Sequence, residues 1–300
     1  MEGRVGARVQ LVGKPRARLG KRLAPYLLTL PGGLWLAIFF VIPIVFMLSM
    51  SLQTGNIEEG FRFTWHFSTY WEVLRQYHTQ LARSFTFGSI ATGITLVVSY
   101  PLAYWIAFRG GRHKTTFLFM LLLPFFVSFV IRTLAWQFIL ADDGIVLGTL
   151  KNLHLIPQSY HVLATSVAVV SGIAYNYLPF MALPLYVSLE KIDRSVVEAA
   201  RDLYASNSQV LARVIFPLSI PGVFAGVLLT FVPAVGDYVN ASILGGTRTT
   251  MIGNIIQQEY LTNLHYPRAA ALSFVLMTVL LIGIFAYARA LGTRSIEEYI

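Results

Sequence analysis

No cysteine occurs anywhere in the 300 residues. Disulfides, thiolate metal ligands and thiol nucleophiles are therefore excluded, while the compartment stays open. Charge is also scarce. Only 12% of residues are charged against 56% hydrophobic, and mean hydropathy is +0.63. That is too little charge to coat the exterior of a water-soluble domain of this size. The six histidines, His66, His78, His113, His154, His161 and His265, are scattered with no His-x-x-x-His pair, so no metal cluster is expected. A Gly-x-x-x-x-Gly-Lys-Ser/Thr phosphate loop is lacking, as is a nucleophile elbow, so neither nucleotide hydrolysis nor acyl transfer is expected of this chain. Acids are outnumbered, 14 to 23, giving a net charge of +9. The basic residues cluster beside apolar segments, a pattern of membrane topology rather than of nucleic-acid binding.

What is present is a series of long apolar runs. Six segments, about 26–51, 85–108, 115–140, 161–187, 216–238 and 269–291, each have the roughly 20 residues that a helix needs to cross about 30 Å of hydrocarbon. The reading is all-α and polytopic, with six transmembrane helices. Six spans put both termini on one side. With both ends inside, sixteen Lys and Arg fall in the inner tails and loops and six outside, with Arg132 within a span; positive residues gather on the cytoplasmic side, which gives N-in, C-in. The domains follow: a basic cytoplasmic tail over 1–25, a transmembrane domain over 26–292, and a cytoplasmic tail over 293–300. The first apolar core is too long for a signal peptide and reads as an uncleaved span. The outer loop 52–84, with Trp65, Phe67, Tyr70 and Trp71, reads as an interfacial helix or as a docking surface for an external protein.

One loop stands apart. Residues 188–217 are polar and helix-forming, yet lie between two spans. Asp193 or Ser195 can cap a helix there. Val196, Val197, Ala200 and Leu203 then fall at helical spacing, with Glu198, Arg201 and Asp202 off that stripe. Ser206-Asn207-Ser208 signals a turn, and Val210, Leu211 and Val214 continue into a second helical stretch. From periodicity alone this is an amphipathic helix at an interface.

Glu198-Ala199-Ala200, followed at the right spacing by Val214-x-Phe216-Pro217 and then Pro221-Gly222, resembles the EAA loop of importer-type ABC transporter permeases. The family pattern has Gly where Tyr204 stands. Gly would allow positive φ at a helix end, where Tyr is costly, so the turn is expected to shift to Asn207 or the first helix to run longer. The resemblance implies a type I ABC importer permease fold with a cytoplasmic EAA coupling helix, a groove on the ATPase as its socket, and Glu198, Ala199, Ala200, Asp202, Tyr204 and Pro217 as the ATPase-coupling residues. It further implies a homologous second permease subunit, two ATPase subunits that bind ATP and Mg, and an extracytoplasmic substrate-binding protein, all at a bacterial cytoplasmic membrane. No cofactor and no catalytic residue is expected in this chain, and no nucleic-acid partner.

Further stretches are similar to spermidine/putrescine permeases, in the first of their two permease subunits. They include Leu123-Pro124-Phe125-Phe126, Ile131-Arg132-Thr133-x-Ala135-Trp136, Tyr175-Asn176-Tyr177-Leu178-Pro179-Phe180-Met181, Phe231-Val232-Pro233-Ala234-x-Gly236-Asp237-Tyr238-Val239 and Met251-Ile252-Gly253-Asn254. The implied cargo is a polyamine; another small solute, such as an aminophosphonate, amino acid or metal chelate, is the alternative. A self-contained secondary transporter would need internal repeats, and no clear repeat is found. A flexible polycation calls for carboxylates and aromatic faces along its path. The candidates are Asp237, Tyr238, Trp105, Tyr100, Tyr177 and Glu259, although Asp237 can equally cap a chain break. Arg132 would repel such a cargo, and is expected to snorkel or to pair with Asp142 or Asp143. Prolines 101, 124, 179, 184 and 233 mark kinks or breaks, and Gly222-x-x-x-Gly226 offers a close helix contact.

Overall fold

The computed structural model describes residues 28–296, with side chains to residue 290. The basic tail expected over 1–25 lies outside these residues, as does the end of the chain. The molecule divides at Met50 into two units. The first contributes the apolar helix α1, which runs over Leu28–Ser51 with a π-helical turn at Ala37–Val41. The second unit carries the remaining elements.

That unit opens with a short antiparallel hairpin, β1 (Gln53–Asn56) and β2 (Gly60–Phe63), closed by the Asn56 side chain accepting from the Glu59 amide at 2.8 Å. The hairpin is the one departure from an all-helical description among the described residues. Helix α2 runs over Ser68–Arg109, so residues 68–84 of the expected outer loop are helical. The helix kinks at Tyr77 (φ −114°, ψ 16°).

The third span departs most from expectation. It is not a single helix over 115–140. Helix α3 (Lys114–Leu122) passes into a 3-10 turn at Leu123–Phe126, and Val127 and Ser128 adopt extended backbone before α4 (Phe129–Leu140). The two halves meet at 90°. Pro124 accounts for the end of α3, since its ring clashes with the carbonyl four residues back and it has no N–H to donate; the bend itself falls at Val127 and Ser128. Helix α5 (Ile145–Asn152) follows.

The centre of the unit is a three-helix contact of α2, α6 (Ser166–Glu190) and α8 (Asn207–Val235), with α10 (Ile252–Gln257) and α11 (Tyr266–Ile296) against α2. Helix α11 runs through the position where the C-terminal tail was expected to begin. Counting the bent pair as one, six helical segments are long and apolar enough to cross a membrane. Pro179, Pro184, Pro221 and Pro233 lie within these helices without ending them. The Thr95 hydroxyl donates to the Ala91 carbonyl one turn back at 2.7 Å and reaches the Ala174 carbonyl at 3.2 Å, tying α2 to α6. The Gly222/Gly226 pair sits on the α6–α8 seam. A Cβ at Gly226 would come within 2.7 Å of the Met181 sulfur and 3.1 Å of its carbonyl; one at Gly222 would strike the Ser188 side chain and lie 2.8 Å from the Pro184 carbonyl. Small residues there let the two backbones approach.

Two buried clusters anchor the functional elements. Ala103, Ala107, Met181, Leu185, Leu189, Val197, Val210 and Ile215 pack at the end that carries the 191–206 loop. Phe87, Ala91, Val169, Ile173, Ala234 and Leu244 pack elsewhere between α2, α6, α8 and α9 (Val239–Leu244).

Candidate functional site

The polar loop folds as two short helical starts. Helix α7 spans Arg194–Asp202 and is capped by Asp193, whose carboxylate accepts from the Ser195 amide at 2.9 Å. That hydrogen bond holds the Asp193 carboxyl below its ordinary range. Val197 is buried and Ala200 partly so, both against the α2–α6 cluster. The rest of the expected apolar stripe is not buried: Val196 is 45% and Leu203 82% exposed. Glu198, Ala199, Asp202 and Pro217 are exposed as well. One side of the loop is thus pinned beneath the spans, and the other offers apolar and acidic groups to whatever lies beyond.

Tyr204 keeps the turn where the family pattern has its glycine. Its φ is +60°, and the turn does not move to Asn207, which instead begins α8 behind the Ser206 cap. The Tyr204 amide donates to the Arg201 carbonyl at 2.8 Å and the Ala205 amide to Ala200 at 3.2 Å. This is the hydrogen-bond pair of a Schellman ending, with Ala200 and Ala205 both against the same core. The Tyr204 ring is 97% exposed. After Ser206 and Gln209 form a reciprocal capping box, a π-turn over Leu211–Ile215 delivers the chain to Pro217. A wider turn just ahead of a proline relieves the clash of its ring with the preceding carbonyls.

A second polar group lies among the apolar helices. Asp237, 5% exposed, follows the end of α8. Its carboxylate accepts from the Asn240 amide at 2.9 Å and from the Asn240 side chain at 2.6 Å, so it caps α9. The Tyr177 hydroxyl interacts with the same carboxylate. Asn240 Oδ1 in turn accepts from the Asn176 side chain at 3.1 Å and from the Thr133 hydroxyl at 3.3 Å, and Asn176 reaches Thr133 Oγ1 at 3.1 Å. Helices α4, α6 and α9 are thereby tied through buried polar atoms. The sequence reading missed Thr133, Asn176 and Asn240 as members of this group, although an Asn inside an apolar span was a usable signal.

The proposed path residues are only partly brought together. Asp237 and Tyr177 meet, and Tyr238 adjoins them in sequence with its side chain 44% exposed. Tyr100 instead bonds Ser219 through its hydroxyl at 2.9 Å, joining α2 to α8. Trp105, 42% exposed, lies edge-on to Phe117. Glu259 is buried in a separate latch, accepting from Tyr77 at 2.8 Å, from Asn263 at 3.2 Å and contacting His265 Nδ1 at 3.0 Å. Arg132 does not pair with Asp142, which holds Lys151 at 2.8 Å and His161 instead; nor does it snorkel outward, being only 7% exposed. No group of three or more potential metal ligands occurs among the described residues.

Apolar helices of bilayer length, cross-linked by buried polar groups, define a polytopic α-helical membrane protein. Residues 13–294 match the family described as binding-protein-dependent transport system inner membrane component. The chain is similar to the spermidine/putrescine transport system permease protein PotB of Haemophilus influenzae, 34% identical over 88% of this chain and 93% of that one. The protein of the same description from Escherichia coli K12 is also 34% identical, over 85% and 94%. Among solved structures, a bacterial ABC transporter involved in importing the acidic polysaccharide alginate contains a chain of the same fold. Its TM-score is 0.71 at 18% identity, covering 92% of this chain and 98% of that one. The chain therefore belongs to the binding-protein-dependent transport system inner membrane component family: it is a multi-pass inner-membrane permease subunit.

Proposed function

We propose that this permease forms half of the translocation path of an ATP-driven polyamine importer, with spermidine or putrescine as cargo. The observation that carries the mechanism is the exposed outer side of α7 and its Schellman turn, Val196, Glu198, Leu203 and Tyr204, rigidly pinned by Val197 to the helices that would have to move. A partner seated on this side would transmit its motion straight into α2 and α6. The polyamine cargo rests on the two permeases of spermidine/putrescine systems, similar across most of their length.

In this reading the loop faces the cytoplasm, as do both termini. Glu198, Ala199, Ala200, Asp202, Tyr204 and Pro217 form or support the ATPase-coupling surface. Glu198 offers a carboxylate to a basic or backbone donor. Exposed Ala199 permits close approach, and Ala200 sets the turn from within. ATP and Mg are bound by two separate ATPase chains. A homologous second permease completes the path, and an external binding protein delivers the cargo. Asp237 and Tyr177 supply a carboxylate and an aromatic face, with Tyr238 beside them; Tyr100, Trp105 and Glu259 contribute to the path through the contacts that hold its walls.

Uptake of labelled spermidine and putrescine, with and without this gene, tests the cargo: ATP-dependent loss on deletion is expected, and unchanged uptake would overturn the polyamine assignment. Coupling is tested separately. Glu198→Arg should abolish co-purification with the ATPase and cargo-stimulated ATP hydrolysis; a variant that still co-purifies and transports normally would refute the docking role.

A further inference from the structure

Among the described residues, Arg132 has no acidic counterpart. Its side chain is more than nine-tenths buried, its Nε is buried without a hydrogen-bond partner, and among the described residues its guanidinium makes no ion pair. Its visible contacts are the faces of Phe125 and Phe129, at 5.8 and 5.7 Å. A cation withdrawn from water and left unpaired is expensive, and two phenyl faces compensate only a small part of that cost.

The surroundings have the chemistry of an anion site. Arg132 lines a concavity of about 430 Å³ with Phe125, Phe126, Ser128, Tyr177 and Phe180. The concavity opens at the 90° break of the third span, where the twelve-residue helix α4 begins. Ser128 stands at the cap position but makes no side-chain cap, so the first-turn amides keep the free donors and partial positive charge of a helix start. Arg132 lies one turn further along the same helix, on the same face. Guanidinium and helix terminus converge on a space walled by aromatic rings.

We propose that this break is an oxyanion site, in which Arg132 and the start of α4 bind a phosphate group, either free or on a phospholipid headgroup. The proposal stands apart from the polyamine assignment, since it concerns the neutralisation of Arg132. It also resolves a difficulty: a bound anion would discharge a cation beside Tyr177 that otherwise opposes a polycation.

The test uses the full chain purified with its partner subunits. In lipid-depleted detergent, inorganic phosphate is titrated while thermal stability is followed. In a second arm, phosphatidylglycerol retention is measured by native mass spectrometry. Binding in at least one arm is expected to be about tenfold weaker in Arg132→Gln, the loss typical of a charge-assisted hydrogen bond. Binding in the first arm alone identifies a free anion, and in the second alone a headgroup; either supports the site. Should Arg132→Gln fail to fold, Ser128→Asp decides. It places a tethered carboxylate one turn before Arg132, and should abolish binding while raising stability without added anion. Wild type and Ser128→Asp binding equally, no binding in either arm, or Arg132 paired with a carboxylate of a partner subunit in the assembled complex would each overturn the proposal.

Discussion

Tyr204 shows how one side chain can oppose its backbone and be kept. The left-handed conformation costs a non-glycine residue about 1–2 kcal/mol, yet the Schellman hydrogen bonds hold it there. Tyr204→Gly should therefore stabilise the end of α7 by about 1 kcal/mol, seen as slower amide exchange at 203–205. If the exposed ring contributes to docking, the same variant should bind the ATPase less tightly despite its firmer turn. Asp237 permits a similar separation of roles. Asp237→Ala removes a cap and strands Asn240, and should lower thermal stability by about 2 kcal/mol. Asp237→Asn retains an acceptor and most of the stability. A fall in polyamine uptake in the Asn variant at preserved stability would assign the charge to transport; unchanged uptake would leave Asp237 a cap. In Glu259, burial opposes ionisation, but Tyr77, His265, the nearby Arg268 charge and Asn263 outweigh it and hold the carboxyl below its ordinary value of 4.5. A depressed pKa contributes stability above that value and loses it as pH falls. The latch joining the Tyr77 kink to the start of α11 should therefore loosen below about pH 4.5, and Glu259→Gln should remove that pH dependence from the melting profile.

At the scale of elements, the contact of α6 with α8 depends on the absence of side chains at two positions. Gly226→Leu would drive a branched side chain into the Met181 backbone and sulfur. The helices must separate, at a cost of about 1–3 kcal/mol or more, and reduced thermal stability with loss of monodispersity in detergent is the expected outcome. The motif was visible in the sequence, but whether it faced a neighbour or lipid was not, since spacing is indifferent to what lies opposite. The third span makes the converse point. Pro124 was legible as a kink, whereas the 90° turn depends on two residues, Val127 and Ser128, taking extended backbone, for which apolar composition has no signature. Residues 68–84 are helical on both sides of the Tyr77 kink, although their polar side chains dilute the hydropathy by which spans are recognised.

At the scale of the whole molecule, the loop shares a core with the spans of the second unit on which it packs. Val197, Val210 and Ile215 share a core with Ala103, Met181 and Leu189, so a displacement of α7 cannot be absorbed within the loop. Val197→Asp should uncouple the protein without altering the docking surface: ATPase association persists while cargo-stimulated hydrolysis and uptake fall, measurable in reconstituted vesicles. Loss of association in this variant would instead mean that the loop had come apart.

Several properties were already determined by the sequence. They include membrane residence, the approximate number of spans, the helix start at Asp193 and the loop motif, because bilayer length, charge distribution and capping chemistry are local in the chain. Tertiary structure decided which groups share an environment. Thr133, Asn176, Asn240 and Asp237 come from three separated segments, Tyr77 meets Glu259 across 182 residues, and Arg132 pairs with no acid among the described residues while Asp142 holds Lys151 and His161. Such pairings depend on how helices cross, and the crossing is set by packing between segments rather than by the residues within any one of them.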